Sequence, residues 1–169
     1  MMQLAEQIIE KRVADFISSA LAAAPAIKHR AICAWHEAKE GADPDAAPAP
    51  GGLAVYINAA PRAYQSFTSS IATVSVAVGL VFPWESFPSR RGIADATARV
   101  AALFEKWNRL HESVQTDLTV EGLFRCDGIR LAGGRRADNS DERATAVSMT
   151  LEIIGVLTDF TPTHPVNPV

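Results

Sequence analysis

Cysteine is scarce in this chain of 169 residues: Cys33 and Cys126 are the two present, and they form no CxxC pair. That excludes a multi-cysteine disulfide framework and fits a reduced, cytoplasmic setting. An excess of positive charge is also lacking, since 16 Lys and Arg face 19 Asp and Glu for a net charge of -3. A chain with that balance is not held to nucleic acid or to an anionic membrane by its overall field, so any such contact has to be a local patch, and no sequence-specific nucleic-acid partner is expected. No uncharged apolar run reaches the roughly 18 residues that a spanning helix needs; the longest apolar-rich stretch, Ile71 to Phe82, alternates like a strand. The start, Met1-Met2-Gln3-Leu4-Ala5-Glu6, lacks a basic segment leading into an apolar one, and Glu10 and Lys11 interrupt the apolar residues after it, so no secretory signal is expected.

What is present is an apolar fraction of 48%, ample for one continuous core. The organisation expected is a single α+β domain over residues 1–160, followed by an extended or disordered tail over 161–169, where Pro162, Pro165 and Pro168 cannot join a ladder. From Leu4 to Leu21, Ile9, Val13, Phe16, Ile17, Ala20 and Leu21 recur at three and four, with Glu6, Glu10, Lys11 and Asp15 in other directions. This predicts an amphipathic helix that stops near Pro25. Ile27 to Trp35 reads as a first strand, with Ile27, His29, Ala31, Cys33 and Trp35 on one side. Gly41 to Gly52, rich in Ala, Pro and Gly, reads as a long loop inside the domain, because too few residues precede it for a separate core.

Leu53, Val55 and Ile57 alternate with Ala54, Tyr56 and Asn58 in a half-buried strand closed by Pro61. Val74, Val76, Val78, Leu80 and Phe82 keep strict period two against Ser75, Ala77 and Gly79. This is the clearest strand in the chain, and its small opposite face implies a close neighbour, such as another subunit. A second helix is predicted from Gly92 to Val114, with Ile93, Ala96, Val100, Leu103, Phe104, Trp107, Leu110 and Val114 on its stripe. Gly128 to Arg136 and Ala144 to Asp159 then form two strands around a polar turn, Ala137 to Glu142. Val147, Met149, Leu151 and Ile153 share one face while Ile154 and Val156 share the other, which predicts a bulge or twist near Gly155. The fold class expected is therefore a mostly antiparallel sheet packed by two main helices, with a long loop and a terminal β-hairpin.

Chemistry-bearing residues are few. His29, Cys33 and His36 stand at spacings of four and three and on a helix could ligate zinc with Glu37 or Glu40; on a strand the set separates. A small metal-dependent or thiol enzyme using this region is the alternative to a structural role. His36-Glu37 lacks the second histidine of the zinc-protease helix, and no spacing pairs Cys33 or Cys126 with a histidine. Gly133-Gly134-Arg135-Arg136 is followed by a strand, not by the helix that a phosphate loop requires. Arg130, Arg135, Arg136 and Arg143 interleave with Asp138, Asp141 and Glu142, as in a solvated hairpin turn or a charged subunit contact. Phe82, Trp84 and Phe87, bounded by Pro83 and Pro88, fit local packing or an aromatic anchor for a partner. Trp84, Phe87, Arg135, Arg136, Asp138 and Asp141 are accordingly the candidate interface residues; no catalytic, cofactor or metal residue is assigned.

The order of elements resembles the tail-terminator, or tail-completion, proteins of long-tailed bacteriophages and prophages. The resemblance rests on the helix Leu4 to Leu21, the strands Leu53 to Ile57 and Val74 to Phe82, the helix Ile93 to Val114, and the ending Ala144 to Ile153, and it spans roughly Leu4 to Asp159. It implies a structural homo-oligomer, commonly a six-fold ring, that caps the head-proximal end of the tail tube and meets the head connector. It further implies a place in the virion tail after assembly in the bacterial cytoplasm, without cofactor or catalytic residue; another virion or secretion-apparatus adaptor of the same general shape is a further alternative. The loops Gly41 to Gly52 and Pro83 to Pro88 depart from a minimal version of that pattern. The turn Ala137 to Glu142 and the loop Gly41 to Gly52 are expected to project from the body and to become ordered on assembly.

Overall fold

The computed structural model of the chain describes residues 2–23, 27, 29–34, 52–59, 63–64 and 71–157. In chain order these form α1 (Met2–Ala23), β1 (His29–Ala34), β2 (Leu53–Ala59), β3 (Ala63–Tyr64), β4 (Ile71–Pro83), α2 (Arg90–Arg109), α3 (His111–Leu118), β5 (Phe124–Asn139) and β6 (Ala144–Leu157). The strands make one sheet of order β1-β2-β4-β6-β5, with β3 pairing onto β4. β1 runs parallel to β2, and the other pairings are antiparallel. This is the α+β arrangement expected, with β5 and β6 as the hairpin. The loop at 41–51 and the tail at 161–169 lie outside the described residues.

Burial follows from period two in the strands and from a four-residue repeat in α1. Val74, Val76, Val78, Leu80 and Phe82 of β4 are fully buried, as are Leu151 and Ile153 of β6 and Leu53 and Ile57 of β2. Ile9, Val13, Ile17 and Leu21 bring α1 onto β1 and β2, while Ile93, Val100, Phe104 and Trp107 of α2 and Val114 and Leu118 of α3 join the same core. Phe16 ties the two helical regions together, its ring stacked on Trp107 at 3.9 Å between centroids and tilted against Phe104 at 5.8 Å. Burying each such side chain stabilises the fold by about 1.5–3 kcal/mol, so this stripe is what docks the helices on the sheet. No described helix lies on the opposite face, which carries Tyr56, Ser75, Ala77, Gly79, Ala146, Ser148 and Thr150.

Several local expectations are corrected. The predicted Gly92–Val114 helix is two: α2 ends at Arg109, Leu110 leaves helical geometry at φ -87° and ψ 67°, and α3 follows. Leu110 is 56% exposed although it continues the apolar spacing, because the break turns Val114 and Leu118 into the core instead. Glu10, expected on the polar side of α1, is buried and accepts a hydrogen bond from the Ala59 N–H at 2.9 Å, satisfying a donor at the end of β2.

In β1 a register irregularity between His29 and Ala31 breaks the even alternation. His29 is paired with Leu53 of the core, whereas Cys33 is paired with Tyr56 of the exposed face. Ala34 is buried. The bulge expected near Gly155 is on the partner strand. β6 keeps unbroken register with β4, and the extra residue sits in β5 between Cys126 and Gly128. A second irregularity, between Ala132 and Arg135, coincides with Gly133-Gly134. Ladder pairing also runs on to Asn139, so the turn is Ser140 to Arg143 and shorter than the Ala137 to Glu142 predicted.

Candidate functional site

The second β5 irregularity decides where the hairpin arginines go. Beyond it, Arg136 pairs with Val147 and Asp138 with Thr145, positions on the helix-covered face, whereas Arg135 pairs with Ser148 on the bare face. Past the amino end of α2 no described helix covers that strip, and a cleft of about 430 Å³ opens. Its walls include Trp84, Phe87, Ile93, Arg90, Arg136 and Arg143, with Asp138 and Thr145 on its floor.

Each wall has a local cause. Ser89, extended at φ -119° and ψ 145°, caps α2 by accepting from the Gly92 N–H at 3.0 Å, which starts the helix with Arg90 at the cleft. Phe87 packs edge-on against buried Phe82, at 5.0 Å and 82°, and this anchors the loop after β4. In the hairpin turn the Asn139 carboxamide oxygen accepts from the N–H groups of Asp141 and Glu142 at 3.1 and 3.2 Å. The chain then passes through Arg143 at φ +51°, a left-handed conformation that costs a side-chain-bearing residue about 1–2 kcal/mol over glycine. That conformation aims the Arg143 carbonyl at the Trp84 N–H, 2.9 Å away.

A polar chain crosses the floor. The Trp84 indole N–H donates to Thr145 Oγ at 2.8 Å, and the Thr145 hydroxyl donates to Asp138 Oδ1 at 2.7 Å. Arg136 reaches the same carboxylate oxygen at 3.4 Å. The Thr145 hydrogen bond, aided by the charges of Arg136 and Arg90, holds the Asp138 carboxyl below its ordinary value of 3.8. Arg90, Arg136 and Arg143 thus line one cleft with a single carboxylate, and among the described residues neither Arg90 nor Arg143 has an ion-pair partner.

Of the six candidate interface residues, the structure brings together Trp84, Phe87, Arg136 and Asp138. Arg135 is on the other face, and Asp141 sits at the exposed tip of the turn. Arg90 and Thr145 are not among the residues that the sequence singles out, and Arg143 enters there only within the charged turn; the alternation of β5, read without its bulge, gives no way to align them with Trp84. Arg130 is not part of the cleft and pairs with Glu152 across the bare face, its Nε 2.8 Å from the carboxylate.

The other candidates do not converge with this cleft. Cys126 is buried, and that burial pushes its thiol up to about 11, away from the thiolate that a nucleophile needs. His29 and Cys33 lie in β1, while His36, Glu37 and Glu40 lie outside the described residues. Among the described residues no group of three or more His, Cys, Asp or Glu side chains could hold a metal ion. A second hollow, between α1 and α3, is lined by Arg12, Phe16 and Asp117. Its polar groups are engaged in fastening the helices: Arg12 donates to the carbonyls of Asp117 and Thr119, and Asp117 accepts from the Trp107 indole and the Ser113 hydroxyl, each at 3.2 Å. No protein-family model matches the chain, and no curated protein matches its sequence.

Proposed function

We propose that this protein is a structural subunit of a phage or prophage tail, a tail terminator that closes into a ring at the head-proximal end of the tail tube. The observation that carries the reading is the uncovered sheet face. Ala77 and Gly79 of β4 pair with Thr150 and Ser148 of β6, a patch of short side chains bordered by Tyr56 and by the Arg130–Glu152 pair, on which a neighbouring subunit can approach the backbone closely. β5 borders this surface as an edge strand, paired on one side by β6, and its Gly133 to Asn139 segment is exposed. A face and an edge at different places on one subunit suit the heterologous contacts that close into rings when the rotation permits. The resemblance in element order supplies the tail and its head-proximal end.

The test is native mass spectrometry over a range of concentrations, followed by particle imaging. A closed ring is expected for the wild type. Ala77→Arg, at an exposed position of the bare face, is expected to give a folded monomer. A wild-type chain that stays monomeric throughout, or an Ala77→Arg ring indistinguishable from the wild type, would refute the proposal.

A further inference from the structure

We infer that the cleft between the α2 amino end and the β5–β6 turn binds an acidic peptide segment of a partner protein. In this arrangement a carboxylate is gripped by Arg90 and Arg143, and an adjoining apolar side chain lies against Trp84 and Phe87. Charge is the first support. The whole chain carries -3, yet this one cleft sets Arg90, Arg136 and Arg143 against Asp138 alone. The cleft lining is thus net positive on an acidic protein, which favours an acidic ligand there.

The identity of the anion is set by the groups that already occupy the floor. Thr145 is engaged on both sides, by Trp84 and by Asp138, and Arg136 is engaged by Asp138. Arg136 uses one N–H on Asp138, and Arg90 and Arg143 make no ion pair among the described residues, so their planar guanidinium forks are open to match a carboxylate. A fixed Asp138 carboxylate beside them opposes a doubly charged phosphate more strongly than a singly charged carboxylate. The aromatic wall then asks for a ligand that is apolar next to its charge, as an acidic peptide is and a free anion is not. Arg143 adds an independent sign. An arginine is kept at φ +51°, where glycine would be cheaper, and it is among the residues that line the cleft. The inference does not depend on ring formation, since a monomer presents the same cleft.

The experiment titrates acetyl-Leu-Asp-Glu-Leu-amide into the ¹⁵N-labelled full chain and follows the Trp84 indole N–H, one of three tryptophan resonances, assigned through Trp84→Phe. A saturable shift is expected, weakened by added salt. In Arg90→Ala/Arg143→Gly the affinity should fall by on the order of tenfold or more, the loss of charge-assisted hydrogen bonds. Both replacements suit their backbone positions, an exposed first helical turn and a left-handed turn residue. Four results would overturn the inference: no Trp84 shift at millimolar peptide, equal binding of acetyl-Leu-Asn-Gln-Leu-amide, equal binding of the peptide to the double variant, or an equal Trp84 shift with inorganic phosphate at the same concentration. The last would identify a phosphate site.

Discussion

Gly155→Ala should destabilise this protein although the same exchange in a strand ordinarily helps. Gly155 is buried in β6, paired with Ala72 of β4 on one side and Cys126 of β5 on the other. A Cβ built there would stand 2.7 Å from Phe124 Cε2, and closer still to Phe124 Cζ and to the Arg125 carbonyl oxygen. The ring could turn aside, but the carbonyl belongs to the ladder between β5 and β6 and can move only if the pairing beside the Cys126 to Gly128 bulge opens. Replacing glycine by alanine inside a strand recovers roughly 0.5–1 kcal/mol of backbone entropy, whereas forcing a methyl group into a packed site costs about 1–3 kcal/mol. With backbone and ring both in the way, the cost takes the upper part of that range, for a net loss of about 1–2 kcal/mol.

Gly79 is the control: it lies in the adjacent strand, but a Cβ there would meet Tyr56 Cβ at 3.7 Å, an ordinary contact. Gly79→Ala is therefore expected to be neutral or to stabilise by up to about 1 kcal/mol. Urea unfolding followed by tryptophan fluorescence, at a common slope, measures both; heating should show a drop of a few degrees for Gly155→Ala, given about 2–4 °C per kcal/mol at this size. A Gly155→Ala midpoint at or above the wild-type value, or a Gly79→Ala loss of equal size, would show that close approach at Gly155 does not constrain the sheet.

Two more outcomes are expected. In a Cys33→Ser background, Cys126, with its thiol raised to about 11 by burial, should resist a thiol-specific disulfide reagent at pH 8 in the folded protein and react at once in denaturant; fast native labelling would contradict the packing of β5 on the helices. A double-mutant cycle on Phe16→Ala and Trp107→Ala should give a coupling of about 0.5–1.5 kcal/mol for the stacked pair, on top of roughly 3–5 kcal/mol for Trp107→Ala alone, and additive losses would mean that the rings do not stack.

The elements and their inward faces were legible in the order of residues because each reports its own periodicity. The four-residue recurrence Ile9, Val13, Ile17, Leu21 can bury one side only as a helix, and Val74 to Phe82 only as a strand. Sequence alone thus determined the α+β class, the terminal hairpin and the small-residue face of β4. What it could not determine depends on contacts between distant segments. Leu110 has the right spacing and the wrong exposure, since the break after α2 is decided by where Val114 and Leu118 find the core. Glu10 is read as surface until the Ala59 N–H is placed beside it.

The cleft is the clearest case. Arg136 and Asp138 share an alternation with Arg130 in the bare sequence, yet the single-residue shift between Ala132 and Arg135 carries them to the helix side, where Trp84, Arg90 and Arg143 meet them. A bulge reverses every side chain beyond it, and only the pairing of β5 with β6 in the folded sheet shows that it is there.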